Sequence, residues 1–351
     1  MSNLSEYKQS METLRFTPEQ RAQLAANAAR AASRQTARRT RRPFGRMAVI
    51  AAVMAVVLAV GSSAAGILPV PADVFAPLFG ATVAQTEVID KIGHPIGASA
   101  TDNGITISAD AIMGDEYNAV IVYTISRNDG ERFLPEGKNL DNTMLLMGGF
   151  GGASWVRGGS HGSSWFVDAD PEDNMIQLVE TASSDTSMTK GAATAEFEDL
   201  CYWDADTEQP EILYGGHWKF RFDVDYEDCS VRLGGGETFS QNGLNFTIDG
   251  IRVSPLAVKV DYTVDTEVVW SSSASGRQDP EDARQSQRYL ENVEIFLTKT
   301  DGTVIDLSGA GGSIRPEDGV SACSKGSVLD EIIPLEDMAS ISVGGVVFDI
   351  P

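Results

Sequence analysis

Residues 47–68 carry no charge, and six arginines (Arg34, Arg38, Arg39, Arg41, Arg42 and Arg46) crowd their N-terminal side. As a helix of about 1.5 Å per residue this run reaches roughly 33 Å, enough to cross a hydrocarbon core of about 30 Å. The next basic residue is Lys91. Lys and Arg are retained on the cytoplasmic side, so Arg38, Arg39, Arg41, Arg42 and Arg46 set the topology: N-terminus inside, C-terminus exported. The expected plan is a cytoplasmic helical segment 1–46, a transmembrane helix 47–68, a Pro-containing linker 69–93, and two extracytoplasmic β-domains, 94–228 and 229–351. The location that follows is the cell membrane, crossed once.

A cleaved export signal is the competing reading. Its apolar core is about 7–15 residues behind a short basic region, whereas here 46 residues precede a longer core, which favours an anchor. The stretch Thr40-Arg41-Arg42-Pro43-Phe44-Gly45-Arg46 nevertheless resembles a twin-arginine export motif, and Ser63-Ala64-Ala65 offers small residues for cleavage.

The net charge of −23 averages two unlike parts. Residues 1–46 hold ten Lys or Arg against three acids, +7, and residues 69–351 hold 17 against 47, −30. So acidic an exterior excludes nucleic acid as its partner, and an anionic lipid surface as well. The bilayer is met by the span. Three cysteines are too few for a disulfide scaffold. Cys201 and Cys229 can pair in an oxidising exterior, leaving Cys323 over; three free thiols is the alternative.

Inside, Leu4, Tyr7, Met11 and Leu14 fall at i, i+3, i+7 and i+10, one apolar stripe on a helix. Phe16 then precedes Thr17-Pro18-Glu19-Gln20, where Thr17 caps, Pro18 suits the first helical position and Gln20 completes a capping box. A segment this short is near the lower limit of about 40 residues for unaided folding. The stripe Leu4, Tyr7, Met11, Leu14 and Phe16 therefore wants a groove on a cytoplasmic protein partner. Lying on the inner membrane surface is the alternative.

The exterior reads as strands. Residues 103–125 and 242–264 align without a gap at an offset of 139, sharing Asn-Gly, Asp110/Asp249, Ile112/Ile251 and Tyr123-Thr124/Tyr262-Thr263. Each pairs a turn dipeptide able to take positive φ with alternating residues that bury one sheet face. This predicts an internal repeat, and a mainly β fold of two antiparallel β-sandwich-like, immunoglobulin-like domains. Closing strands are expected at 217–226, with Trp218, Phe220, Phe222, Val224 and Tyr226 on one side, and at 341–350.

No catalytic chemistry shows. The Gly-rich stretch 148–165 lacks the Gly-Lys-Ser/Thr of a phosphate loop, and Ser160-His161 has no third orienting group. It reads as a flexible surface loop whose Trp155 and Trp165 are candidates for an exterior contact with a glycan or a partner, the extracytoplasmic ligand itself being unidentified. Residues 168–174 are acidic without the spacing of a calcium loop, and His94, His161 and His217 lack zinc spacing. The expectation is therefore no enzyme, no metal and no cofactor.

The anchor, Pro77-Leu-Phe-Gly80, Lys91-Ile-Gly-His-Pro-Ile96, Asp102-Asn-Gly-Ile-Thr-Ile107 and Tyr123-Thr-Ile-Ser126 together resemble a bacterial family called domain of unknown function 4179. The resemblance runs from the anchor to about residue 130. It implies a short cytoplasmic helical segment, one span and an extracytoplasmic β-domain. Genes of such families often neighbour those of extracytoplasmic-function sigma factors, which implies an anti-sigma-like regulator with a sigma factor as its cytoplasmic partner. Residues 1–46 hold no Cys or His, so a zinc-binding anti-sigma domain is excluded. A cell-surface binding or structural module without enzymatic activity is the alternative function.

Overall fold

The computed structural model describes residues 68–149, 151–155, 159–204, 207–271 and 279–351. All of them lie in one contact unit, Ser62–Pro351. The expected cytoplasmic segment lies outside the described residues, and so does the expected span except for Leu68. Among the described residues no helix is long and apolar enough to cross a membrane.

The expected linker is instead two docked helices, α1 (Pro71–Phe79) and α2 (Val83–Ile92). Pro71 sits in the first turn, where its missing N–H has no intrahelical partner to lose, and Gly80 ends α1 at φ 111°. Thr82 and Gln85 close a reciprocal capping box on α2: Gln85 N donates to Thr82 Oγ1 (3.3 Å) and Thr82 N to Gln85 Oε1 (3.1 Å). The helices bury Val74, Phe75, Phe79, Ile89 and Ile92. At roughly 1.5–3 kcal/mol per large apolar side chain, that burial outweighs what Pro77 costs inside α1.

Nine strands follow: β1 (Gly93–Asp102), β2 (Ile105–Gly114), β3 (Asn118–Arg127), β4 (Leu145–Met147), β5 (Gly152–Ser154), β6 (Ser160–Val167), β7 (Met175–Ser184), β8 (Gly191–Asp204) and β9 (Gln209–Val224). They make an antiparallel sheet of order β1-β2-β3-β7-β6 and a second in which β8 pairs with β4, β5 and β9. Ile107, Ile121, Tyr123 and Leu178 of the first meet Phe197, Trp218, Phe220 and Phe222 of the second in one core. The expected closing strand is present, with alternate residues of β9 from Trp218 to Val224 buried. The Gly-rich stretch expected as a loop contributes β5 and β6, because Gly162 leaves room for the carbonyl of Thr181: a Cβ there would stand 2.0 Å from that oxygen.

Ten further strands are β10 (Val231–Leu233), β11 (Thr238–Gln241), β12 (Leu244–Val253), β13 (Ala257–Val264), β14 (Ile295–Lys299), β15 (Val304–Asp306), β16 (Gly311–Glu317), β17 (Val320–Val328), β18 (Met338–Val343) and β19 (Val346–Asp349). A helix α3 (Pro280–Ser286) precedes β14. One sheet runs β10-β12-β13-β17-β16 with β11 also on β12, the other β15-β14-β18-β19, and a separate core lies between them. The single strand expected at 341–350 is a hairpin, because Gly344 and Gly345 both take positive φ and turn the chain.

The aligned segments occupy equivalent places in these two bodies. Asn103-Gly104 and Asn242-Gly243 have φ of 46° and 79°, and 52° and 75°, the turn that matches strand twist. Both hairpins bulge at the shared aspartate, Asp110 or Asp249, which accepts from Thr124 Oγ1 (2.6 Å) or Thr263 Oγ1 (2.8 Å). The orders β1-β2-β3-β7-β6 and β11-β12-β13-β17-β16 correspond strand for strand.

Candidate functional site

The two bodies meet through equivalent turns. Ser254 Oγ donates to Asp115 Oδ2 at 2.5 Å, and these residues stand one repeat offset apart. Asp115 is 4% exposed and also accepts from Tyr117 N, Asn118 N and Asn118 Nδ2. Burial pushes its carboxyl up, and the four donors pull it back. Arg252 Nε reaches Glu116 Oε2 at 3.0 Å, while Lys259 Nζ lies 4.4 Å from the centre of the Tyr117 ring.

Helix α1 bridges the same junction. The outer face of the first sheet (Ala111, Met113, Val120, Val122 and Val179) packs on α1 and α2 together with Leu256, Ala257 and Ile332 of the second body. Ile332 N donates to Phe79 O (2.8 Å), and Gln85 Nε2 donates to Ile332 O (3.0 Å). At repeat-equivalent positions the second body carries Gly250, Arg252, Lys259 and Asp261 in place of Ala111, Met113, Val120 and Val122, so only one outer face suits an apolar helix pair.

Beside this junction a cleft of about 370 Å³ opens between edge strands β6 and β16. Its wall takes His161 and Trp165 from β6, Thr181 from β7, Phe79 from α1, Gly311 from β16, and Asp330 after β17. Trp165 is 39% exposed. His161 Nε2 is shielded from solvent and has no hydrogen-bond partner. Its ring lies against bare backbone: a Cβ on Gly311 would come within 3.0 Å of it. Ser163 and Thr181 hydroxyls, 3.0 Å apart, form one polar wall.

Of the residues singled out from sequence, Trp165 falls in this cleft, whereas Trp155 packs half-buried against the first core with Nε1 unpartnered. Cys201 and Cys229 are not joined: they and Cys323 are free thiols. Cys201 lies in β8 opposite Ile212, whereas Cys229 packs beside the helix-pair cluster, so the two sit on different layers. Leu4, Tyr7, Met11, Leu14, Phe16 and the topology-setting arginines lie outside the described residues. Among those described, no three His, Cys, Asp or Glu side chains converge on a metal position. His161, Thr181 and Asp330 were not readable as neighbours from sequence. The one available signal was His161 and Trp165 alternating in register on a strand.

Buried polar groups elsewhere are structural. Lys325, 0% exposed, donates to the carbonyls of Leu290 (2.9 Å), Glu291 (3.3 Å) and Val293 (2.8 Å), and burial pulls its ammonium down to about 8. Glu180 accepts from Tyr123 Oη (2.7 Å) and Ala153 N (3.1 Å), and burial pushes it up to about 7.

The architecture defines a mainly β protein of antiparallel sheets with a helical strap. Residues 39–127 match the model of the family described as domain of unknown function (DUF4179), as the sequence motifs had implied. No curated protein matches the chain. The chain is similar to a solved structure titled the crystal structure of the conserved domain protein from Bacillus anthracis, at 15% identity over 70% of this chain and 74% of that one, with a TM-score of 0.44.

Proposed function

We propose that this chain is a membrane-anchored, anti-sigma-like signalling regulator. Its cytoplasmic helices hold a sigma factor through Leu4, Tyr7, Met11, Leu14 and Phe16. Its exterior, two duplicated immunoglobulin-like sandwiches over 94–228 and 229–351, senses a ligand. The observation that carries the reading is the strap. Helices α1 and α2 directly follow the expected span in sequence, bind both bodies, and supply Phe79 to the cleft wall. A change in how the bodies meet thus acts on the segment leading to the membrane. The split of +7 against −30 about an uncharged run supports the topology, and the family match supports the assignment to DUF4179.

The test is co-purification of the full chain with the sigma factor encoded beside it. Met11→Asp and Leu14→Asp should abolish capture and raise transcription from that factor's promoters. Unchanged transcription on deleting residues 1–34, with and without envelope stress, would refute the regulator. The passive surface module would then stand, because it needs only the exterior cleft.

A further inference from the structure

We infer that the cleft between β6 and β16 is a binding site for a neutral saccharide, stacked on Trp165, walled by the His161 ring and hydrogen-bonded by the Ser163/Thr181 hydroxyls and Asp330. This deepens the sensing role proposed above and rests on it only for its biological consequence. The cleft's volume of about 370 Å³ falls at the small end of the range of roughly 300–1,000 Å³ for small-molecule sites, the scale of a short sugar rather than a protein segment.

Chemistry narrows the ligand. No Lys or Arg lines the cleft, and Asp330 stands exposed on its wall, so a phosphate, sulfate or carboxylate ligand meets no counter-charge. An acyl chain would place hydrocarbon against the Asp330 carboxylate and the Ser163/Thr181 hydroxyl pair. A quaternary ammonium would find only one exposed ring, Trp165, since Phe79 is 3% exposed. Sugar C–H faces and hydroxyls match both halves of this wall. The His161 ring closes the wall against Gly311 with its Nε2 shielded from solvent, so it shapes the cleft rather than pairing with the ligand. The alternating register of β6 places His161, Ser163 and Trp165 on one side of the strand.

The experiment places the full chain in lipid nanodiscs, free of glycoside detergents that would themselves compete. It is probed on an array of neutral oligosaccharides, and hits are titrated by calorimetry. Saturable binding to at least one uncharged oligosaccharide is expected, weakened at least tenfold by Trp165→Ala and several-fold by His161→Ala and Asp330→Ala. Trp203→Ala, which removes a tryptophan of similar exposure (40%) away from the cleft, should leave affinity unchanged. An unchanged far-ultraviolet dichroism spectrum and urea midpoint confirm that both tryptophan variants fold. Absence of any neutral glycan hit, equal loss in Trp203→Ala, or tighter binding of tetramethylammonium than of sugars would overturn the inference. Sugar binding that persists while deletion of residues 1–34 leaves transcription unchanged refutes the regulator alone. Intact regulation without sugar binding refutes the cleft alone.

Discussion

The repeat places one aspartate–threonine pair in two environments, which gives a clean test of burial. Asp110 is 6% exposed beneath the helix pair, and burial pushes its carboxyl from 3.8 to about 7 against hydrogen bonds from Thr124 and Ser108. Its counterpart Asp249 is exposed and keeps the same threonine contact. An acid that titrates higher in the folded state adds stability that is complete below about pH 4 and is lost as pH rises through about 7. About three pH units, at about 1.36 kcal/mol each, make the Asp110 contribution roughly 4 kcal/mol. Asp110→Asn keeps an acceptor for Thr124, and Ser108 can accept from the new amide. The substitution should be near neutral at pH 4, more stable than the unmodified chain by about 1.5 kcal/mol at pH 5, and by several kcal/mol at pH 8. Asp249→Asn should stay within about 0.5 kcal/mol throughout, as exposed substitutions do. Urea titrations at pH 4 to 8, followed by tryptophan emission, measure both. If Asp110→Asn keeps the unmodified pH slope, or Asp249→Asn flattens it equally, the burial argument is wrong.

Phe75→Ala removes a fully buried ring from the strap and should cost about 3–5 kcal/mol; amide exchange should then accelerate over residues 71–92 while β8 and β9 stay protected, and uniform acceleration would show that the strap does not unfold as its own unit. Alkylation in denaturant without reductant should modify all three cysteines, and native alkylation should reach half-buried Cys229 before Cys201 and Cys323, the last held up to about 12 by burial. Recovery of a peptide joining Cys201 to Cys229 would contradict both.

What was legible in the sequence was what local chemistry dictates. Asn103-Gly104 and Asn242-Gly243 specify their turns without help from the rest of the chain, and the alternation Trp218, Phe220, Phe222 specifies a half-buried strand. The linker expected at 69–93 is helical because Pro71 sits in the first turn of α1 and Thr82 and Gln85 form a capping box on α2, a signal present in the sequence itself. Strand β2 was readable, but burial on both faces was not, since the helices that cover its second face precede it in the chain. The cleft was the least legible feature. His161 and Gly311 become neighbours only after two sheets have formed and met, and nothing local in either segment encodes that approach.

The repeat also accounts for why a cleft exists at that place. Two copies that join through equivalent turns, Asp115 on Ser254, bring other equivalent elements together as well, and the edge strands β6 and β16 are such a pair. Unpaired edges are liabilities unless something keeps them from joining. Here they lie in separate sheets, with the His161 ring against Gly311 and Ser313 Oγ bonded to Asp185 Oδ1 at 3.0 Å. The edges approach without forming a continuous ladder, and the space left over is lined by whatever each copy has placed there. The two bodies differ at these equivalent positions. Apolar Met113, Val120 and Val122 bind the strap to the first copy, whereas Arg252, Lys259 and Asp261 at the same positions of the second cannot. The second copy touches the strap chiefly through Ile332, Leu256 and Ala257. On the proposed reading, a ligand that shifts the second copy against the first strains the Phe79–Ile332 hydrogen bond rather than either core, and the strap is where that strain meets the membrane.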